Sequence, residues 1–413
     1  MRSAHSARST LFVSYDGLTD PLGGSQILPY LRSIAAHPRP LHVLSFEKPD
    51  RLATAGETLR AELDAAGIRW TPLVFSRGGL PAKVRDLASM YAVAIRLAWQ
   101  RRFGVVHCRG HLAAQVGALL KALFGVRLIF DFRGLWVDER VDKGGWDLSR
   151  WRDRLAHRLF KRIERGLLRY SDHVVVLTQA ILPYLASLGV QPGRMTVVPC
   201  CADFGHFRLP EPAMRDQTRR QLGLPQSGLV VGYLGSAGPM YMSGQFLRFA
   251  EAAIVAGGAA AVLCITPDAT RFREEIAARR WDALGITYAV VSGTREDIPR
   301  LLSGLDVLVS FFLPGPARIG TSPTKMAECF AQGIPMVTNP GVGDVERLMD
   351  ELDGGLLVDP TDSGAMTKAS AGVGALTTKG GQRLREAARP LLGLEHASAQ
   401  YASVYEKLET GAC

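Results

Sequence analysis

One stretch, Arg318 to Asn339 (RIGTSPTKMAECFAQGIPMVTN), restricts the possible folds of this chain more than any other. Ser322 suits a helix N-cap, and Pro323 suits the first helical position, where a missing N–H goes unneeded. Gly333 can adopt the left-handed conformation that ends a helix. The runs on either side, Asp306 to Phe311 and Ile334 to Thr338, are apolar and rich in β-branched residues. Strands that apolar throughout suit a parallel sheet covered on both faces. The stretch therefore predicts a strand–helix–strand unit of an α/β fold.

The polar residues of this unit fall into a pattern. Met326, Ala327, Phe330 and Ala331 form one apolar stripe at helical spacing, while Lys325 and Glu328, three apart, share the other face near the helix start. Arg318 and Thr321 lie in the loop leading in. A helix N-terminus at the carboxyl edge of a parallel sheet offers N–H groups to an anion, and Arg318 and Lys325 add positive charge. Glu328, about a turn deeper, is an acceptor suited to two vicinal hydroxyls. A diphosphate flanked by a ribose would satisfy these groups together. The alternative for the isolated segment is a solvent-facing helix with an i,i+3 ion pair.

Composition bounds the rest. At 413 residues, 47% hydrophobic and 21% charged, the chain has room for two ordinary α/β domains. No apolar run reaches the ~18 residues of a spanning helix, and the first ten residues (MRSAHSARST) read as a loose basic tail without the apolar core of a signal peptide. Cys108, Cys200, Cys201, Cys264, Cys329 and Cys413 show no paired or zinc-ligand spacing, so free thiols in a reducing cytoplasm are expected. The net charge of +10 asks for an acidic partner. Nucleic acid has only that charge in its favour, since no helix-turn-helix, zinc or RNA-recognition signature occurs.

From its start the chain alternates strands and helices. Thr10 to Tyr15 reads as a strand, followed by a glycine loop, Asp16 to Gln26, in which Gly23 and Gly24 precede a helix beginning near Ser25. That order lets backbone approach a ligand, although it is not the G-x-G-x-x-G fingerprint and serves equally as a structural turn. Strands at Val105–Arg109 and Leu128–Phe132 end in His107, Arg109, Asp131 and Arg133, and a helix starts near His111. Strand ends of this kind face the ligand crevice of a doubly wound sheet, so the four make a candidate polar cluster. Asp138, Glu139 and Asp142 are acidic but not spaced as a metal trap, and a surface loop accounts for them as well.

Ser149 to Tyr170 reads as a long helix with eight basic residues against Asp153 and Glu164. Its apolar line is drawn through Leu155, Leu159, Ile163 and Leu167. Either a solvated charged face or a surface for anionic lipid or a phosphorylated acceptor would use it. After Leu209 to Pro225, a linker with a lead-in helix, a second alternation opens at Leu229, where Gly235 and Ser236 end the first strand. Asn339 to Leu348 gives another glycine loop entering a helix, and the last helix lies near Glu395 to Glu409.

SPTKMAECFAQGIPMV resembles the donor-binding signature of family 4 glycosyltransferases, enzymes of the GT-B fold. The likeness implies two Rossmann-like, doubly wound domains facing across a cleft. The expected bounds are 10–205 for an acceptor-side domain, 206–394 for a nucleotide-sugar-binding domain, and 395–413 for a helix returning to the first. It implies that Glu328 holds the ribose of a sugar nucleotide, that Gly23 and Gly24 of YDG-x-TDPLG-x-SQ face the donor, and that Gly235 and Ser236 approach its diphosphate. Arg318, Thr321, Ser322 and Lys325 complete the donor set, with Arg318 and Lys325 replacing two usual cations whose positions hold Ser236 and Ser243. Many members carry a further glutamate where this chain has Gly320. HCRGHLAA and FDFRGLWVDERVD resemble the acceptor-lining segments, with Arg109 and His111 on the acceptor side and His107, Asp131, Arg133 and Lys325 as catalytic candidates. An arginine at 133 cannot serve as a base. The implied activity is retaining transfer from a nucleotide sugar, expected to be a UDP-sugar, to a glycan or lipid-diphosphate-linked acceptor in cell-surface polysaccharide synthesis. The nucleotide sugar is a substrate, so no cofactor is implied. No Asp-x-Asp occurs, and no metal is expected. The expected place is the cytoplasm, with peripheral contact at the inner face of the membrane through residues 149–170. A GT-B sugar-nucleotide epimerase and an inactive binding subunit are the alternatives.

Overall fold

The apolar runs become two all-parallel sheets. A computed structural model describes residues 9–35, 39–238 and 240–410, so most of the basic tail and Cys413 lie outside the described residues. The first sheet holds β1 (Thr10–Ser14), β2 (Leu41–Glu47), β3 (Ile68–Val74), β4 (Val105–Arg109), β5 (Arg127–Phe132), β6 (His173–Val176) and β7 (Met195–Val197). Their order is β3-β2-β1-β4-β5-β6-β7. The second holds β8 (Val230–Leu234), β9 (Ala261–Ile265), β10 (Tyr288–Val291), β11 (Val307–Val309), β12 (Met336–Thr338) and β13 (Gly355–Leu357), in the order β10-β9-β8-β11-β12-β13. Each order reverses once, between β1 and β4 and between β8 and β11. In open parallel sheets ligands bind at such a reversal, outside the carboxyl ends of the strands.

The described residues divide into two compact units, Cys200–His396 and the remainder, so the chain returns to the first unit from Ala397 onward. Every residue of β1, β2, β4, β8 and β9 is buried, which is why β8 and β9 read as nearly continuous apolar runs. Two apolar clusters cover the two faces of the second sheet, one around Phe330, Leu308 and Met336, the other around Trp281, Phe246 and Val309. Each fully buried Leu, Val or Phe contributes about 1.5–3 kcal/mol. Phe204 and Phe207 join the first of these clusters, so the segment before the lead-in helix (Pro212–Gln221) is pinned to the second unit by its side chains.

Three local expectations need correction. The anchor helix runs from Thr324 to Ala331 with Pro323 at the N-cap, one residue later than the Ser322 reading. Ser322 Oγ instead accepts the backbone N–H of Cys200 at 3.1 Å. Gly333 has φ +70°, as the helix end requires. Gly23 and Gly24 lie inside a short helix, Pro21–Gln26, and the helix expected from about Ser25 follows at Leu28–Ala35. A Cβ on Gly23 would stand 2.3 Å from the Gly17 carbonyl oxygen, so packing of this helix on its own loop already requires glycine there. Finally, Leu155 and Leu159 are 59% and 54% exposed, whereas Leu167 is buried. Successive i+4 steps drift by about 40° around a helix of 3.6 residues per turn, so a line drawn that way begins outside and ends inside.

Candidate functional site

In the second unit the groups gather at the sheet's reversal point. Lys325, on the second residue of the anchor helix, turns back over the ends of β8 and β11 and is only 8% exposed. Its Nζ donates to Ser310 Oγ at 3.2 Å and lies 4.1 Å from the Tyr241 ring centroid and 5.1 Å from that of Tyr233. The backbone past β8 passes close to it at Gly235, where the conformation itself favours glycine. Gly235 has φ +123°, and a Cβ there would sit 3.0 Å from Lys325 Nζ. No carboxylate forms an ion pair with Lys325 among the described residues. Burial pulls its pKa down to about 7, against the weaker upward pull of Cys329 and Glu328.

Glu328 stands one turn further along, with its side chain 14% exposed. Burial pushes its pKa up to about 7, opposed by Arg295 and Lys325. Arg295 Nη1 lies 3.9 Å from Glu328 Oε1. Nothing in the chain's local pattern singles out Arg295, which sits in the loop after β10, far from Glu328 along the chain. Only the parallel register that brings β10 and β11 to one edge makes the pair visible.

Arg318 lies within its loop, 3% exposed, with Nη1 donating to Thr321 Oγ1 at 3.3 Å. Its carbonyl accepts the Gly343 N–H at 2.9 Å, tying the loop before the anchor helix to the glycine turn after β12. The Ser236 carbonyl accepts the Tyr233 hydroxyl at 2.6 Å. Ser243 is buried at the first position of the next helix, Ser243–Val255.

In the first unit the four strand-end residues do meet. Parallel register sets Ser14 beside Arg109 and Arg109 beside Asp131. Asp131 Oδ2 lies 3.6 Å from Arg109 Nη1, and Oδ1 lies 3.5 Å from Arg133 Nη1. Both arginines also donate to Gln26 Oε1, at 3.3 and 3.2 Å. Burial alone would raise the Asp131 pKa, but Arg133, His107 and Arg109 outweigh it and hold the carboxyl well below its usual range.

The returning helix, Leu394–Thr410, seals this cluster from one side. Tyr405 Oη lies 2.8 Å from His107 Nδ1, and the Tyr401 hydroxyl donates to Asp131 Oδ2 at 3.3 Å. His107 is fully enclosed and Asp131 is 1% exposed, so the more exposed of the four is Arg133. A small cavity of about 170 Å³ opens beside it, lined by Tyr15, Asp16, Arg109, His111, Arg133 and Trp136 among others. His111 Nε2 is 2.8 Å from Glu164 Oε2 on the basic helix. Asp138, in a helix Trp136–Asp142 rather than a loop, accepts Lys161 Nζ at 2.7 Å, and His157 Nε2 lies 3.2 Å from its other oxygen. Among the described residues, no three His, Cys, Asp or Glu side chains gather around a common point that could hold a metal ion.

Residues 29–201 match the family described as a glycosyl transferase 4-like domain. No protein of curated function matches the chain by sequence. Among solved structures, sucrose-phosphate synthase from Thermosynechococcus elongatus is similar over 98% of this chain and 100% of its own, at 18% identity and TM-score 0.70. HepE from Anabaena in complex with UDP-glucose is similar over 97% and 100%, at 16% identity and TM-score 0.70. WaaG, a glycosyltransferase involved in lipopolysaccharide biosynthesis, is similar over 98% of each chain, at 15% identity and TM-score 0.61. These likenesses establish the fold, two Rossmann-like domains of the GT-B type, and agree with the resemblance drawn from the SPTKMAECFAQGIPMV motif.

Proposed function

We propose that the protein is a glycosyltransferase whose second unit holds a nucleotide sugar, a UDP-sugar, and whose first unit receives the acceptor. The observation that carries this reading is Lys325, an ammonium buried at the sheet's reversal point with no carboxylate paired to it among the described residues. A diphosphate placed there would supply the missing counter-charge and pull the lysine back toward its protonated form. Glu328, a turn deeper, accepts the two ribose hydroxyls, and the uridine choice is supported by the UDP-glucose bound to HepE. Arg318 adds charge and, through its bonds to Thr321 and Gly343, fixes the loop beside the phosphates.

In the reaction the acceptor hydroxyl oxygen forms a bond to the anomeric carbon while the bond from that carbon to the diphosphate oxygen breaks. The acceptor proton passes to the departing phosphate, on the same face of the sugar, and configuration is retained. Lys325 stabilises the charge growing on the leaving group, which is the main catalytic contribution of the chain. Arg133 and Arg109, held by Asp131 and Gln26, neutralise charge on a glycan or lipid-diphosphate acceptor. Metal ions take no part. Synthesis of cell-surface polysaccharide in the cytoplasm fits the five free, buried cysteines of the described residues and the likeness to WaaG.

The test is donor turnover. Incubating the protein with UDP-sugars and a lipid-diphosphate-linked glycan should release UDP and lengthen the glycan. Binding of UDP-sugars without release, across donors and acceptors, would leave only a binding subunit. Release of a sugar epimer without acceptor would replace transfer by epimerisation.

A further inference from the structure

The basic helix, Trp151–Tyr170, presents one outward face. Trp151, Leu155 and Leu159, 64%, 59% and 54% exposed, lie in its first half beside exposed Arg152, Arg154 and Arg158, and Arg162, Arg165 and Arg169 continue the face at helical spacing. Both acidic residues of the helix turn away from this face. Glu164 is buried against His111 and Lys161, and Asp153 accepts the backbone N–H of Asp147. No acidic side chain pairs with Arg158, Arg162 or Arg165 among the described residues. The face also borders an open groove of about 900 Å³, lined by Leu155, Leu159, Arg158, Arg162, Arg165 and Leu188 among others.

A helix kept outward only for solubility would carry acids among its arginines and would not hold a tryptophan and two leucines in water. Unpaired cations beside exposed apolar side chains match the boundary of an anionic bilayer, where phosphates meet acyl chains. The helix leads into β6, which is parallel to β5, so it runs against the strands and the end with its exposed apolar side chains lies at their carboxyl edge. Contacts agree with this direction. Phe160 packs on Trp136, just past β5, while the Tyr170 carbonyl accepts Lys121 near the end of the helix that began at Gly110. The apolar end thus sits at the edge that carries Arg109 and Arg133.

We infer that this face docks the protein on an anionic phospholipid leaflet, with Trp151, Leu155 and Leu159 entering the acyl boundary and Arg158, Arg162, Arg165 and Arg169 engaging lipid phosphates. The inference is independent of the donor reading. Among the described residues no helix is long and apolar enough to cross a membrane, and this docking lies on the surface.

The test is co-sedimentation of the full chain with phosphatidylcholine vesicles, with and without roughly one-third phosphatidylserine, over a salt series. The wild type should sediment with the anionic vesicles at low salt and be released near ~0.5 M, where screening is short-ranged. Each engaged arginine multiplies partitioning about five-fold, so Arg158→Glu, Arg162→Glu and Arg165→Glu together should lower it by more than a hundred-fold. Leu155→Ser with Leu159→Ser should weaken binding about ten-fold or more while leaving the unfolding midpoint unchanged, since both side chains are exposed. Glycerophosphoserine, the headgroup without chains, should not displace the protein. Equal binding to neutral vesicles, no binding to anionic vesicles at low salt, indifference to the charge reversals, or displacement by the headgroup alone would overturn the inference. UDP-induced thermal stabilisation, measured alongside, should be the same in the triple variant. A loss of that stabilisation in every form, with vesicle binding intact, would count against the donor site and not against the docking face.

Discussion

Lys325→Met should make the protein more stable and useless for its donor. The pKa of Lys325 falls from 10.5 to about 7 because the ammonium is buried. That fall corresponds to about 5 kcal/mol for carrying the charge in the native state at low pH, and local relaxation reduces what a variant would recover to about 2–4 kcal/mol. Methionine keeps the length of the side chain and suits the Tyr241 and Tyr233 rings. The gain should depend on pH in one direction. Below about pH 7 native and unfolded lysine are both protonated and the full cost is present. Between about 7 and 10.5 the unfolded state binds more protons, so wild-type stability rises with pH and the advantage of methionine shrinks by about 2–3 kcal/mol, leaving little of it near pH 9. Urea unfolding at about pH 6 is the cleanest comparison, because Glu328, pushed up to about 7, is then largely protonated in the native state. A variant less stable than wild type at pH 6, or a gain that grows toward pH 9, would refute the argument that burial strains this lysine.

Donor binding needs Lys325 protonated and Glu328 ionised, so nucleotide affinity should peak near pH 7 and fall on both sides, as titration calorimetry across pH would show. Asp131→Asn removes a buried carboxylate that faces both Arg109 and Arg133 and, although Asp16 stays 3.9 Å from Arg109, should lower stability by about 3 kcal/mol in urea unfolding. Gly235→Ala forces a Cβ against Lys325 Nζ at φ +123° and should lower kcat/KM for the donor at least ten-fold, with about 1–3 kcal/mol lost in stability. Exhaustive chelation should leave UDP release unchanged, whereas an absolute requirement for added Mn²⁺ would remove metal independence.

Much of the fold could be read from the chain because its strands are buried on both faces. The strand Val105–Arg109 appears with the bounds its run suggests, and the one expected at Leu128–Phe132 differs only by starting at Arg127. Lys325 and Glu328 were legible because helix spacing is local. Arg295 was not, since its approach to Glu328 depends on the register of distant strands. Nor could the sequence tell that Tyr401 and Tyr405, nearly three hundred residues beyond His107 and Asp131, would close over them. The basic helix shows a third kind of limit. Its charge was evident, but which leucines faced outward depended on where Glu164 and His111 paired, a contact between two separate helices.

Titration calorimetry of UDP against the wild type and Glu328→Ala near pH 7 tests the central claim most directly, because it needs neither the acceptor nor the right sugar. The wild type should bind UDP, and loss of the two charge-assisted ribose bonds should weaken the variant about a hundred-fold or more, with its unfolding midpoint at or above that of the wild type. Equal UDP affinity in the two proteins, or none in the wild type, would contradict the placement of a nucleotide sugar on the anchor helix.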